Sequence, residues 1–280
     1  MPWKPANGYH AIERATVSIL FKEALTQHAQ SQAVNLLTSK AAGIGLSEVV
    51  VLAPPVQFNV VQSGNSPAPI PQVIGPPPGR AVRKSDNGRV IEEAILADGA
   101  LIFSTFTYKR WADFKDRFEV LLPDLLSMIA STTAIAEVRL EYWDRFDRQA
   151  SPDDNSPLTN PKSILVGSAV LQNTGSWHSH VGYFTDLQPN LRTLVNVNVD
   201  AIASMVHHPQ AFSGNVTGQA RIYSMASIQY SGNENLISGW SIISAKLENI
   251  HHMLKSVLAD IIHPDIASAI QLNAQPLVIG

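Results

Sequence analysis

Two alternating histidines are the clearest candidate for catalysis in this sequence. His178 and His180 are separated by a single serine. On a strand, residues two apart point to the same face, so both imidazoles could bind one metal ion. Asp200, His207 or His208 could complete such a site. The alternative is a surface pair without metal, because the spacing matches no zinc motif.

A second candidate is the polar face of a predicted strand over residues 135–146. Apolar and charged residues alternate along it, so the charged ones share one face. The residues that we assign to partner binding are Arg139, Glu141, Trp143 and Arg145. Tryptophan and arginine are enriched among the residues that dominate binding energy at protein interfaces. The alternative is a solvated face whose cross-strand ion pairs contribute little individually.

Two further histidines, His251 and His252, lie in a predicted helix near the C-terminus. Adjacent helical residues point about 100° apart, so these imidazoles are poorly placed to share one metal ion. His251 follows the apolar stripe of the helix, which indicates a core or interface histidine.

The composition excludes several kinds of site. The chain has no cysteine, which excludes disulfides, thiolate zinc sites and cysteine nucleophiles. The sequence also lacks the glycine-rich phosphate loop, the serine-nucleophile elbow, His-Glu-x-x-His and the dinucleotide-binding glycine motif. A net charge of −3 supplies no basic field for a phosphate backbone. We therefore expect no cofactor and no nucleic-acid partner.

Length and hydropathy suggest a soluble protein. The chain has 280 residues, 45% of them hydrophobic, which is enough for one large core or two smaller ones. No apolar run reaches the ~18 residues of a membrane helix. The first residues do not have the pattern of a secretory signal. We expect a cytoplasmic protein with no membrane partner.

The elements that must position these residues divide into two parts. The pattern over residues 1–147 predicts an α+β domain whose elements follow the ferredoxin-like order β-α-β-β-α-β, with one added hairpin strand. Its helix over 111–129 contains Pro123, which is expected to kink or restart it. Predicted strands cover 12–21, 48–61, 90–96, 101–108 and 135–146, and predicted helices cover 24–40 and 111–129.

Two irregular segments interrupt this order. Residues 63–82 are rich in proline and predict a surface loop, with recognition by a polyproline-binding module as the alternative. Residues 148–161 supply turn-forming residues and predict a linker.

Residues 162–280 predict an antiparallel, β-rich second part with a C-terminal helix. Predicted strands cover 164–171, 178–184, 193–200 and 216–230. The helix is predicted from about residue 245 to Pro264.

Three short motifs resemble a sporadically distributed family of uncharacterised bacterial proteins. Its members carry a Trp-x-x-Phe helix start, a Leu-Arg-Tyr-Ile-Asn-Arg-like strand and a Leu-x-x-x-His helix near the C-terminus. The matching residues here are Trp111 and Phe114, the segment 140–146, and Leu247 with His251. The resemblance would span most of the chain.

The resemblance implies a structural role for His251, such as a hydrogen bond to a neighbouring carbonyl group. The chain departs from the family at Glu141, where an arginine is usual, and at Asp144, where an asparagine is usual. The resemblance carries no established activity, and it suggests accessory roles in defence or toxin–antitoxin systems.

Three functional hypotheses follow. The first is a non-catalytic interaction or regulatory protein of a bacterial multi-protein system, with a protein partner or self-association. The second is a metal-dependent enzyme that uses His178 and His180. The third is a module that binds a small ligand between the two parts.

Overall fold

A computed structural model describes most of the chain. It covers residues 1–52, 56–61, 68–73, 79–97, 99–149, 156–171, 175–188, 190–202, 216–230 and 239–277. For 56–61, 68–73 and 186–188, only the backbone is described.

The chain contains both helices and a large antiparallel sheet, as the predicted α+β class requires. The helices are α1 (Gln27–Gly43), α2 (Trp111–Ala130), α3 (Ser168–Leu171), α4 (Trp240–Ile261) and α5 (Pro264–Ala269). The strands are β1 (Trp3–Pro5), β2 (Ile12–Phe21), β3 (Glu48–Val51), β4 (Val56–Val61), β5 (Ala68–Val73), β6 (Arg80–Asp86), β7 (Arg89–Ala97), β8 (Ala100–Thr105), β9 (Ile135–Gln149), β10 (Trp177–Gln188), β11 (Leu191–Ile202) and β12 (Val216–Tyr230).

Ten of these strands form one sheet in the order β10-β11-β12-β9-β2-β8-β7-β6-β3, with β1 paired to the end of β9. Every neighbouring pair is antiparallel. The pairing of β12 with β9 joins strands from both predicted parts. The division at 148–161 stays a prediction, although β9 extends two residues into it, to Gln149.

One face of the sheet packs against α1, α2 and α4. Along β11, buried Val195, Val197 and Val199 alternate with more exposed polar residues, so one face of the strand lies in the core. The apolar stripes of α2 and α4 pack against the same core, which includes Phe118 and Leu254. The opposite face of the sheet, which these three helices leave uncovered, is called the open face below.

Most predicted elements are confirmed with shifted ends. β2 and β12 have the predicted bounds, and the hairpin predicted around residues 98 and 99 is β7–β8. α1 begins at Gln27 because the Thr26 side chain accepts a hydrogen bond from the Ala29 amide. It ends at Gly43, and Gly45 follows with a φ of +78°.

Three sequence predictions were wrong or incomplete. Residues 164–167 form an irregular, bent segment followed by helix α3, instead of a strand, because the Asp260 carboxylate accepts hydrogen bonds from the amides of Ile164 and Leu165. Helix α4 begins at Trp240, before the predicted start. Within the proline-rich segment, β5 pairs with β4 as a separate two-stranded sheet; much of that segment lies outside the described residues.

Replacement of Gly79 by alanine is expected to lower the free energy of unfolding by about 2 kcal/mol, because the core is already close-packed there. An added Cβ would lie 2.8 Å from the Leu96 carbonyl oxygen and would also overlap the Ala97 side chain. Urea denaturation measures the loss. Gly43→Ala is the matched control, because its Cβ would meet no atom within 4 Å. Equal stability of the two variants would contradict this prediction.

Among the described residues, no helix combines the length and the hydropathy needed to cross a membrane.

Candidate functional site

The open face carries all four residues that the sequence assigns to partner binding. Along β9, apolar side chains such as Leu140 point into the core, and the intervening residues point the other way. The half-buried residues on the open face of β9 include Arg139, Glu141, Trp143 and Arg145. Because cross-strand neighbours share a face, their partners on β2 and β12 belong to the same surface.

An aromatic row crosses the centre of the open face. The Arg14 guanidinium lies 4.5 Å from the Trp143 ring centroid and 5.2 Å from that of Phe106. The Trp143 and Tyr223 rings are 5.0 Å apart. These residues come from β2, β9, β12 and the end of β8, so sheet register alone brings them together. The row places an arginine between aromatic rings. Arginine, tryptophan and tyrosine are enriched among the residues that contribute most of the binding energy at protein interfaces.

The predicted charged residues of β9 are paired with neighbours. Arg139 forms an ion pair with Glu137 at 2.7 Å, and Arg145 forms one with Glu13 at 2.5 Å. The Tyr223 hydroxyl donates to Glu141 at 2.7 Å. Burial, together with this hydrogen bond and the carboxylate charge, raises the pKa of Tyr223 above its usual value.

Arg221 differs from these paired residues. It is exposed on the open face, directly across from Arg145 on β9 and from Asp200 on β11. Its side chain forms no hydrogen bond or ion pair with any residue that the structure describes. Like charges placed directly across a strand pair repel, and Glu13 neutralises only one of the two arginines. Among the described residues the Arg221 guanidinium therefore has no partner, and we call it the free cation beside the aromatic row.

A recess of about 630 Å³ lies at this point of the open face. Strands of both predicted parts line it, because β9 and β12 are neighbours in the sheet. Its lining includes Glu13, Trp143, Asn198, Asp200, Arg221 and Tyr223. A recess with an aromatic wall and a free cation suits an anchoring side chain of a partner.

The predicted histidine pair lies at the edge of the same face. His178 contacts Asp200 with 2.6 Å between Nδ1 and Oδ1, and His180 contacts the Asn196 amide oxygen at 2.8 Å. Asp200 is thus placed beside one histidine only. Among the described residues, no group of three metal-binding side chains is close enough to hold an ion. His207 lies outside the described residues, as does the adjacent His208, so the metal hypothesis stays a prediction.

The three motifs of the family resemblance meet inside the core. The Trp111 indole stacks on the His251 imidazole with 4.4 Å between ring centroids and 7° between planes. The His251 Nδ1 atom lies 2.9 Å from the Tyr142 hydroxyl. We call Trp111, Tyr142 and His251 the core junction, because they connect α2, β9 and α4. His251 was expected to bond a carbonyl group, and its partner is instead a phenol.

Charged residues cover one side of the core junction. The Glu248 carboxylate accepts hydrogen bonds from Trp111 Nε1 at 2.8 Å and from Lys115 Nζ at 2.7 Å. Burial alone would raise the pKa of Glu248, but these two hydrogen bonds and the Lys115 charge lower it overall. Burial lowers the pKa of His251 to about 4, and the charges of Lys255 and His252 act in the same direction. The His251 imidazole is therefore neutral at pH 7.

Asp144 is a buried carboxyl that the sequence pattern did not identify. It shares the core face of β9 with Tyr142 and is 3% exposed. Its Oδ1 atom has no hydrogen-bond partner among the described residues. Burial, and secondarily the charge of Glu13, raise the pKa of Asp144 to about 7. Two tyrosines, Tyr108 and Tyr142, are buried on the same side of the sheet as Asp144. Burial raises the pKa of both phenols, so they are neutral at pH 7.

A smaller cleft of about 410 Å³ opens on the helix side, between α2 and the β7–β8 hairpin. Tyr108 forms part of its wall, and an ion pair between Arg117 and buried Glu92 lies beside it. Cations and carboxylates are mixed along this cleft, so its charge favours no single class of ligand.

Sequence reasoning identified the β9 half of the open face and missed Arg14, Tyr223 and Arg221. The alternation along β12 was visible, and it already separated Tyr223 and Arg221 from the apolar face. The missing information was the pairing of β12 with β9, which no local pattern encodes.

Comparison with known proteins assigns no function to this chain, so a functional proposal depends on the geometry of the site. No protein-family model, no curated protein and no solved structure matches this chain significantly. The resemblance to the sporadically distributed bacterial family therefore stays a prediction.

Proposed function

We propose that this chain is a non-catalytic interaction protein that binds another protein through the open face. The observation that carries the proposal is the aromatic row beside the free cation Arg221. Trp143, Tyr223 and the stacked Arg14 form a cluster of the residue types that dominate protein interfaces. The paired charges around the row resemble the polar rim of such an interface.

The charges favour a protein over a nucleic acid as partner. Carboxylates such as Glu13, Glu137 and Glu141 alternate with the arginines of the open face. A phosphate backbone would meet these carboxylates as well as the arginines, whereas a protein can present both signs. Arg221 is expected to pair with a carboxylate of the partner.

A second candidate function is small-ligand binding in the recess. The observation that favours it is that both predicted parts line the recess, as the third hypothesis requires. A thermal-shift screen of metabolites distinguishes the two functions. Stabilisation by a metabolite that is lost in Arg221→Ala would favour the second candidate.

Three finer features of the proposal have separate support. The strand order β9-β2-β8-β7, with α1 and α2 as the connections, supports a ferredoxin-like order for the first part. Hydropathy supports a cytoplasmic location, and the resemblance alone supports a role in a bacterial multi-protein system.

The test is affinity capture from a lysate of the native host with quantitative mass spectrometry. Arg221→Glu is the principal variant, because the Arg221 side chain forms no hydrogen bond or ion pair with a described residue, so its loss should not disturb the fold. We expect at least a 10-fold loss of the captured partner, since a charge reversal adds repulsion to a lost ion pair. Trp143→Ala is expected to lose the same partner.

The matched control is Val120→Glu, which adds the same type of charge at an exposed position of α2 on the other side of the molecule. It should capture the partner as the unmodified protein does. An identical set of captured proteins for Arg221→Glu and the unmodified chain would contradict the proposal.

A further inference from the structure

The two edges of the large sheet differ in how far they are exposed to another strand. β3 forms one edge and is only four residues long. β10 forms the other edge and is 12 residues long; it pairs with β11 on one side and with no described strand on the other. An edge strand of this length presents a row of unpaired N–H and C=O groups. Short edge strands limit such pairing, so β3 is protected by its length and β10 is not.

The composition of β10 offers little protection against pairing. Proteins guard exposed edges with lysine, proline or inward-pointing charges. Residues 177–185 contain no proline and no Asp, Glu, Lys or Arg, and the single charged residue of the strand is Asp186, near its end. Phe184 is 55% exposed, and Val181 and Tyr183 are only partly buried against the core. Both faces of the strand thus keep apolar surface that a neighbouring strand would cover.

The absence of charge over residues 177–185 also indicates what the neighbour is. A two-fold contact pairs two identical edges, so an edge that carries several charges of one sign would repel its copy. An edge of histidine, serine, threonine and apolar residues tolerates such a contact.

The pleat restricts the register of a two-fold pairing. Directly opposed residues of antiparallel strands share a face. A two-fold axis perpendicular to the sheet must therefore lie midway between one residue and its own copy. Gly182 lies near the middle of β10, exposed on the open face. Pairing about Gly182 sets Val181 against Tyr183 of the second copy on the core face. On the open face it sets His180 against Phe184 of the second copy.

We propose that β10 pairs antiparallel with β10 of a second copy, about a two-fold axis at Gly182. The two sheets become one continuous sheet, and the two open faces lie on the same side of it. The dimer therefore presents two copies of the aromatic row in one plane. This pairing uses backbone groups at the edge and is independent of the partner site proposed above.

The experiment is light scattering after size exclusion, over a concentration series, on the full chain and on Gly182→Lys. The unmodified chain is expected to have the mass of two chains of 30.4 kDa each. A Cβ at position 182 would meet only the Val195 carbonyl oxygen, at 3.7 Å, so the folded monomer accepts a side chain there. In the dimer the two lysines would face each other at the axis, and we expect a monomer.

Two control variants make the result specific. Val120→Lys adds the same charge on α2 and should remain dimeric. Trp143→Ala alters the open face away from the edge and should also remain dimeric, even if it loses the partner. Circular dichroism checks that each variant is folded. A monomeric unmodified chain, or a dimeric folded Gly182→Lys, would overturn the proposal and leave the partner site untouched.

Discussion

Replacement of Asp144 by asparagine is expected to raise the free energy of unfolding at pH 8 by about 4 kcal/mol, at roughly 1.4 kcal/mol for each unit of pKa difference. In the folded protein, burial and the Glu13 charge hold the pKa of Asp144 at about 7, against 3.8 for a free carboxyl. The stabilising contribution of protonated Asp144 is complete below pH 3.8 and is lost as pH rises through 7. An amide has the same shape and no charge to bury.

The measurement is urea denaturation of both proteins between pH 4 and pH 8. The advantage of Asp144→Asn should be near zero at pH 4 and should grow as pH rises. Asp116→Asn makes the same chemical change at an exposed position of α2 and is expected to change stability by less than about 0.5 kcal/mol. A constant difference between Asp144→Asn and the unmodified protein across this range would contradict the assigned ionisation.

The second large effect is expected at the core junction. His251→Ala should lower the free energy of unfolding at pH 7.5 by about 3 kcal/mol, because it leaves a cavity and an unpaired Tyr142 hydroxyl. It also removes the stacking contact with Trp111. A double-mutant cycle with Tyr142→Phe should give a coupling energy of about 1 kcal/mol or more. A purely additive cycle would show that the two side chains do not depend on each other.

The loss in His251→Ala should shrink in acid. The pKa of His251 is about 4 in the folded protein, against 6.5 for a free imidazole. The neutral form therefore stabilises the fold fully above pH 6.5, and this contribution is lost as pH falls towards 4. His28→Ala is the matched control, because His28 is exposed on α1 and forms no hydrogen bond or ring contact with the core junction. The control variant should follow the pH profile of the unmodified protein.

These two titrations run in opposite directions. Between pH 4 and pH 6.5, acidification favours the folded state through Asp144 and disfavours it through His251. The contributions of Asp144 and His251 therefore offset each other in part, and each single variant should expose the slope of the other group.

Local patterns in the sequence were sufficient for most of the elements. The alternation along β9 and β12 and the apolar stripes of α2 and α4 are properties of a few consecutive residues, so they are readable without the fold. The segment 164–167 failed for a physical reason. Its apolar residues suggest a strand, but its amides bond to Asp260, almost one hundred positions later.

About half of the candidate site could be predicted from the sequence, for the same reason. Trp143 and Arg145 follow from the pattern of β9 alone. Arg14 and Tyr223 join them only through strand pairing, which depends on the whole chain. Asp144 was missed because alternation assigned its position to the core, where a carboxyl is unusual. A polar residue that interrupts an apolar face was the signal available in the sequence.

The position of β9 between β2 and β12 has a consequence for synthesis on the ribosome. β2 precedes β9 in the chain, whereas β12 begins only at Val216, so a nascent chain that ends near Gln149 carries an unpaired edge of 15 residues. Such an edge invites association between nascent chains. The alternating charges of β9, from Glu137 to Asp147, oppose this association until β12 has emerged. These residues thus protect the growing chain before they contribute to any binding surface.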